Sequence, residues 1–186
     1  METARAVVLV EGDSDRLALE TLARRLQRNL SADGVMIVPM GGSKSITTFL
    51  ERFGPAGLSV RLAGLCDSGE VDDFRRGLVR AGLTDDATPS EMDRLGFYVC
   101  VADLEDELIR ALGDETVADV VRALGEGEQL RTFRKQPQWR DRAPAEQLRR
   151  FFGTNSGRKA RAAVALVEAL DMTRVPRPLE AVLAAV

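Results

Sequence analysis

The chain has 186 residues, of which 45% are hydrophobic and 30% are charged, and its formal net charge is −3. This composition is typical of a globular protein with a sizeable core, and the absence of histidine excludes Ser-His-Asp and Cys-His catalysis and the usual zinc sites. No apolar run approaches the ~20 residues that cross a bilayer, and no signal segment precedes Glu11, so we expect a cytoplasmic protein without a membrane partner.

Short apolar runs alternate with amphipathic segments in the first part of the chain. The predicted strands are residues 6–10, 35–40, 60–66 and 97–101. The predicted helices are residues 14–29, residues 43–53, a segment around Phe74 and Leu78, and a segment that opens at Asp103, with a polar loop at 84–93. This alternation predicts an α/β fold, with a mostly parallel four-stranded sheet and helices on both faces. Cys66 and Cys100 fall in apolar strands, which predicts buried free thiols.

From residue 113 onward the pattern becomes almost wholly helical. Helices are predicted near residues 114–124, 126–135, 144–152 and 156–170, and breaks are predicted at Pro137, Pro144, Pro176 and Pro178. We therefore expect an α/β core over residues 1–112. A helical segment over residues 113–186 would pack on that core and complete the site.

The charges of the chain are unevenly distributed. Residues 131–161 contain ten Lys or Arg and two acids, whereas residues 1–130 contain 14 Lys or Arg and 24 acids. The acidic part is suited to divalent cations and the basic part to a polyanion.

Acidic clusters follow three of the predicted strands. The clusters are Glu11 with Asp15, Asp67 with Glu70, and Asp103 with Glu105 and Glu107. The carboxyl ends of parallel strands meet at one edge of a sheet, so these acids can converge on an all-oxygen site suited to Mg²⁺ or Mn²⁺, of the kind that acts on phosphates. The alternative is that the acids cap helix N-termini.

The first of these clusters lies in the run VEGDSD, residues 10–15. Gly12 would allow the backbone to turn sharply after the strand, and Ser14 would cap a helix that begins at Asp15.

Basic side chains supply candidate contacts to a nucleic-acid backbone. The candidates are Lys44 after two glycines, the run Arg131, Arg134, Lys135, Arg140 and Arg142, and the group Arg158, Lys159 and Arg161. The last group follows Asn155-Ser156-Gly157 at a predicted helix start, which is a favourable phosphate site. Trp139 lies within the basic run and could stack on a base, but a core anchor is the favoured interpretation.

Several motifs in order resemble the TOPRIM domain, and within it the OLD (overcoming lysogenisation defect) family of nucleases. The matching motifs are VEGDSD after the first strand, Gly41-Gly42-Ser43-Lys44 after the second, Asp67 after the third, Asp103-Leu104-Glu105 after the fourth, and Ser156-Gly157-Arg158-Lys159 at a late helix. The resemblance covers nearly the whole chain.

The resemblance implies a TOPRIM-like fold and two-metal nicking or cleavage of DNA. It implies metal ligands at Glu11, Asp15, Asp67 and Glu105, and charge stabilisation on the phosphate by Lys159. Mg²⁺ or Mn²⁺ is the expected cofactor, and Ca²⁺ is expected to bind without supporting cleavage. Most members of the family carry an ATPase domain ahead of the TOPRIM domain. This sequence has no G-x-x-x-x-G-K-[ST] loop, so it would act alone or with a separate ATPase.

One departure from the TOPRIM pattern leaves other functions open. TOPRIM domains carry Asp-x-Asp after the third strand, whereas this sequence reads Asp67-Ser68-Gly69-Glu70. A weakened module that binds nucleic acid or a partner protein without cutting is therefore the alternative to an active nuclease, unless Glu70 replaces the missing ligand. A receiver-like domain phosphorylated on Asp67 is disfavoured, because paired acids after the first strand and a lysine after a fifth strand are not evident.

Overall fold

The computed structural model describes residues 4–186, apart from the side chain of Ser156. Its sheet contains β1 (Ala6–Val10), β2 (Val35–Pro39), β3 (Arg61–Cys66) and β4 (Phe97–Val99), in the order β2-β1-β3-β4. All three strand pairs are parallel. The parallel four-stranded sheet predicted from the sequence is therefore confirmed.

The central position of β1 explains its uninterrupted apolar sequence. All five of its residues are buried, and Ala6 is in register with Val35 on one side and Arg61 on the other. A strand covered on both faces has no solvent side and therefore needs no polar alternation.

Five helices accompany the strands in the first part of the chain. They are α1 (Asp13–Arg25), α2 (Ile46–Phe53), α3 (Val71–Arg80), α4 (Pro89–Arg94) and α5 (Leu104–Leu112), with 3₁₀ turns at Ser43–Ser45 and Ser68–Glu70.

The helix α4 corrects the prediction of a polar loop over residues 84–93. The Thr88 hydroxyl accepts a hydrogen bond from the Glu91 N–H at 3.3 Å, and Pro89 occupies the first turn. Only Met92 of this helix is buried, so the segment is too short and too polar for a helical period to show in the sequence.

Five more helices follow in the C-terminal part. They are α6 (Asp114–Ala123), α7 (Gly127–Arg134), α8 (Pro144–Phe152), α9 (Ser156–Ala169) and α10 (Arg177–Ala184). The first four confirm predicted helices, whereas α10 was missed because Pro176 and Pro178 were interpreted as breaks. Pro178 lies in the first turn of α10, where a missing N–H costs nothing.

The sheet separates two hydrophobic clusters. Val7 and Leu9 point to the face covered by α2, α3 and α4, while Val8 and Val10 point to the face covered by α1 and by α5 to α10. The larger cluster combines side chains from before and after residue 112, so the C-terminal helices share a hydrophobic core with the sheet. The placement of a domain boundary at residue 112 remains a prediction.

The two cysteines lie in different clusters. Cys66 belongs to the smaller cluster and Cys100 to the larger one, and both are free and buried. This confirms the predicted buried free thiols. Between residues 4 and 186 no helix combines the length and apolarity needed to cross a membrane.

Gly64 is required by close packing in β3. A Cβ at this position would lie 2.6 Å from the Phe97 ring and 3.2 Å from the Leu9 carbonyl oxygen. We predict that Gly64→Ala lowers the free energy of unfolding by ~1–3 kcal/mol, because neither the buried ring nor the strand backbone can yield freely. Urea denaturation measures this change as a lower midpoint with an unchanged m-value.

The matched control is Gly153→Ala at the end of α8. The φ of Gly153 is −72°, and a Cβ there would meet its nearest neighbours at 3.6 Å. Its free energy of unfolding should stay within ~0.5 kcal/mol of the parent. Equal stabilities of the two variants would contradict the packing argument.

Candidate metal centre

The turn between β1 and α1 carries the first two acids of the site. Glu11 follows the last residue of β1, and α1 begins at Asp13 rather than at Asp15. The Gly12 N–H donates to Asp15 Oδ2 at 2.9 Å, so Asp15 rather than Ser14 satisfies the start of the helix. The backbone of Gly12 is extended, with φ −144°, so glycine freedom is not required there. Both details correct the sequence prediction.

Glycine freedom is required instead after β2. Gly41 and Gly42 have φ values of 73° and 122°, which side-chain-bearing residues rarely adopt. Their N–H groups donate to the Glu11 carbonyl oxygen at 3.0 and 3.2 Å. The buried Ser43 hydroxyl donates to Asp73 Oδ2 at 2.7 Å, which ties this turn to α3 and leaves Lys44 exposed.

Acids from β1, β3 and the start of α5 converge at this edge. The Glu70 carboxyl lies close enough to the Glu11 carboxyl to contribute to its raised pKa, so the residue that follows the incomplete Asp-x-Asp motif lies near the first acid. The Lys159 ammonium lies 3.3 Å from Glu105 Oε2, where Glu105 is only 3% exposed. The same ammonium also acts electrostatically on Asp15 and Asp67.

Burial and mutual repulsion perturb these acids. Burial, followed by repulsion from Asp15 and Glu11, raises the pKa of Asp67 to about 8. Burial raises the pKa of Glu105 to about 7 against the opposing charge of Lys159. Burial and the Glu70 carboxyl likewise raise the pKa of Glu11, and burial raises that of Asp15. The cluster is therefore short of positive charge.

The acidic surroundings stabilise the charged form of Lys159. Burial disfavours its ammonium form, but the carboxylates of Glu105 and Asp15 raise the pKa of Lys159 overall. The lysine therefore remains protonated within the cluster, and it partly offsets the repulsion among the acids.

The donor chemistry of the site fits a hard divalent cation. Within the described part of the chain, Glu70 Oε2 and Glu105 Oε1 are buried and accept no hydrogen bond. Oxygens of this kind are the ligands that Mg²⁺ and Mn²⁺ prefer. Over the same residues, no three acids or cysteines stand close enough to bind one ion as they are placed. Ion binding would therefore require the carboxylates to move closer together.

Asp103 differs from the other predicted ligands. Its Oδ1 accepts a hydrogen bond from the Asp106 N–H at 2.8 Å at the start of α5, and its Oδ2 pairs with Arg149 of α8. Both oxygens are thus engaged, which favours the helix-capping alternative at this residue.

Glu107 is structural in the same way. Its Oε1 accepts from the Val101 N–H at 2.7 Å, and its Oε2 lies 2.6 Å from Arg110. It therefore fixes the connection between β4 and α5.

The start of α9 delivers Lys159 but not Arg158 to the acidic edge. Asn155 Oδ1 accepts a hydrogen bond from the Arg158 N–H at 3.1 Å and caps the helix. The Arg158 and Arg161 guanidinium groups both pair with Glu126. Arg158 therefore faces Glu126 rather than the acidic cluster.

The remaining basic candidates have different surroundings. Arg131 pairs with Glu128 and Arg140 with Asp141. Lys135 is exposed, and Arg134 is half-buried.

Trp139 is part of the core, as favoured from the sequence. It packs against the larger hydrophobic cluster. Its ring stacks on Phe133, with ring centroids 5.3 Å apart.

A cavity of about 500 Å³ opens beside the acidic edge. It is lined by the turn after β1, the glycine turn after β2 and the start of α9, namely Glu11, Gly12, Asp13, Ser14, Asp15, Gly41, Gly42, Gly157, Lys159 and Ala160. Acids, a glycine turn and one lysine thus surround a single space large enough for a phosphate group and its cation.

Sequence reasoning missed two residues that organise this region. Arg149 holds Asp103, and Glu126 holds Arg158 and Arg161. Neither residue stands in a motif, and partners 32 to 46 positions away in the sequence leave no local signal.

Comparison with known proteins agrees with the geometry. Residues 3–68 match the family model of the overcoming lysogenization defect protein-like TOPRIM domain. The C-terminal region of the Xanthomonas campestris pv. campestris OLD protein superposes with a TM-score of 0.73 and 25% identity, over 98% of this chain and 91% of that one. The corresponding region of the Burkholderia pseudomallei OLD protein gives 0.70 and 24%, over 97% and 96%. The comparison with curated proteins gave no match.

These comparisons confirm the resemblance inferred from the motifs. Residues 3–68 match the OLD-like TOPRIM domain, and the fold along nearly the whole length is similar to that of the C-terminal regions of OLD proteins.

The raised pKa of Asp67 has a consequence for stability. The folded protein keeps a proton on Asp67 up to about pH 8, whereas the unfolded chain releases it near 3.8. Because the folded state then binds more protons, the free energy of unfolding falls as pH rises through this window. We predict that Asp67→Asn makes the metal-free protein more stable at pH 8 and reduces the fall in stability with pH.

Thermal unfolding in EDTA between about pH 5 and about pH 8 measures this effect. The control is Asp13→Asn, because Asp13 is 71% exposed and paired with Arg16 outside the cluster. It should follow the parent profile. Parallel profiles for Asp67→Asn and the parent would contradict the assigned repulsion.

Proposed function

We propose that this protein is a metal-dependent DNA endonuclease of the OLD TOPRIM type, which nicks or cleaves DNA by hydrolysis of phosphodiester bonds. The observation that carries the proposal is that Asp15, Asp67 and Glu105 surround the Lys159 ammonium at the edge of the sheet, where Glu105 also has a buried oxygen without a hydrogen-bond partner. The match to the OLD-like TOPRIM model over residues 3–68 supports the same conclusion.

Five acids are the proposed ligands of Mg²⁺ or Mn²⁺: Glu11, Asp15, Asp67, Glu70 and Glu105. A divalent cation held by such oxygens lowers the pKa of water and neutralises charge on a phosphate. Glu70 would supply the carboxylate that the incomplete Asp-x-Asp motif lacks, because it lies near enough to raise the pKa of Glu11 and has a buried oxygen without a hydrogen-bond partner. Asp103 keeps α5 and α8 in place instead.

Lys159 would act on the phosphate itself. Its side chain is 33% exposed and borders the cavity, so its ammonium can reach a phosphate as well as Glu105. A fixed positive charge at this position stabilises the charge that develops on the non-bridging oxygens in the transition state.

The DNA backbone would follow the basic surface of the C-terminal helices and the glycine turn. Exposed candidates for phosphate contacts are Lys44, Arg131, Lys135 and Arg140. Arg134, Arg158 and Arg161 have a smaller part in this proposal, since the first is half-buried and the other two pair with Glu126.

A separate ATPase subunit is a proposed partner, because OLD proteins carry an ATPase.

The alternative function is a module that binds nucleic acid or a partner protein without cutting. The departure from the Asp-x-Asp motif favours this alternative. Cleavage of DNA by the parent protein separates the two functions.

We predict that Glu11→Gln and Glu70→Gln each reduce the rate of Mn²⁺-dependent nicking of supercoiled plasmid by ~10- to 100-fold. Each substitution removes a ligand charge while keeping the side-chain shape. Asp106→Asn is the control, because Asp106 lies next to Glu105 in the sequence but pairs with Arg110. Full activity of Glu70→Gln would show that Glu70 is not a ligand, and inactivity of the parent protein would favour the binding module.

We predict that Lys159→Ala lowers the cleavage rate at saturating DNA far more than it weakens DNA binding. The exposed Lys and Arg side chains would still attract the backbone, with its steep dependence on salt. Single-turnover cleavage and fluorescence anisotropy on the same oligonucleotide measure the two effects. Equal losses in both would make Lys159 a plain phosphate contact.

A further inference from the structure

Glu126 lies at the centre of an ion-pair cluster outside the candidate metal centre. It precedes the first residue of α7, and its side chain is only 11% exposed. One carboxylate oxygen accepts from Arg158 Nε, and the other accepts from Arg161 Nη2 at 2.7 Å. A single acid thus holds two residues of the first two turns of α9.

Arg158 is fixed on its other sides as well. Its guanidinium lies 4.1 Å from the centroid of the Phe151 ring and donates to Thr154 Oγ1. The start of α9 is therefore clamped between the start of α7 and the end of α8. A long side chain with an ion pair, a ring contact and a hydrogen bond has little rotational freedom.

The clamp determines the direction of the next residue. Successive side chains of an α-helix point ~100° apart around the axis. When Arg158 is held towards Glu126, Lys159 turns towards the acidic edge, and its ammonium lies 3.3 Å from Glu105 Oε2.

We infer that Glu126 is a positioning residue for Lys159. Glu126 is not among the acids of the candidate metal centre, and it does not line the cavity. It acts through its ion pairs with Arg158 and Arg161, which orient the start of α9. The catalytic consequence of this inference rests on the proposed nuclease function, whereas the placement of Lys159 does not.

The sequence offers a direct probe of that placement. Lys44, Lys135 and Lys159 are the only lysines of the chain, so acetylation by an N-hydroxysuccinimide ester can be followed at each by mass spectrometry. In the metal-free Glu126→Gln variant, Lys159 should be acetylated about five-fold faster, as expected for the loss of one modest ion-pair constraint. Lys44 and Lys135 should be unchanged.

Glu168→Gln is the matched control. Glu168 lies on the same helix and also pairs with two arginines, Arg24 and Arg25, but it does so near the other end of α9. It should leave the acetylation of Lys159 at the parent rate. If Glu126→Gln does not fold, Arg161→Gln provides a second test, because it removes one of the two ion pairs of Glu126 and the Arg161 side chain is 62% exposed. This variant should also increase the rate of acetylation of Lys159.

Cleavage kinetics distinguish positioning from general destabilisation. Glu126→Gln should lower kcat by about 10- to 100-fold, with little change in KM for DNA. It should have no further effect on kcat in a Lys159→Met background, because there is no ammonium left to place.

The two hypotheses fail in different ways. Unchanged acetylation of Lys159 in folded Glu126→Gln and Arg161→Gln would overturn the inference, and so would a full additional loss of kcat in the Lys159→Met background. If Lys159 is acetylated faster in Glu126→Gln than in the parent but the parent does not cleave DNA, the positioning role is supported and the nuclease function is overturned.

Discussion

The ion pair between Lys159 and Glu105 is the interaction on which the candidate site depends. Parallel strands bring their carboxyl ends to one edge, so any acids that follow them are forced together. Burial removes the water that would screen these charges, which is why Asp67, Glu11 and Asp15 all have raised pKa values. A single lysine from a distant helix partly offsets this repulsion. The same arrangement, lacking positive charge and rich in oxygen, favours a divalent cation.

The C-terminal helices bring that lysine to the sheet. The helix α9 packs along α1, and α8 packs on α5. Arginine–acid pairs also connect these helices, with Arg149 on Asp103 and Arg158 on Glu126. Much of the positive charge of residues 131–161 is therefore engaged within the protein. Fewer Lys and Arg side chains of this segment are therefore available to bind a polyanion than its net charge indicates.

Local patterns predicted most of the elements and failed where one residue type serves two purposes. Proline ends helices but also begins them, so α10 was missed at Pro178. Ser14 is a good capping residue, yet the side chain of Asp15 takes that role. The helix α4 buries a single side chain, Met92, and so has no period to detect. In each case the short sequence segment was compatible with two local structures of similar energy, and the backbone hydrogen bonds or the packing decided which one formed.

The sequence by itself determined the parallel sheet and the acids at its edge, because an apolar strand followed by a carboxylate is a local pattern. It also determined the likeness to the OLD TOPRIM domain through motifs in a fixed order. Only the tertiary structure decided which charges meet. Lys159 reaches Glu105 across 54 positions of sequence, and Arg158 instead meets Glu126. Such pairs depend on how helices pack, and packing is set by the whole core rather than by any one segment.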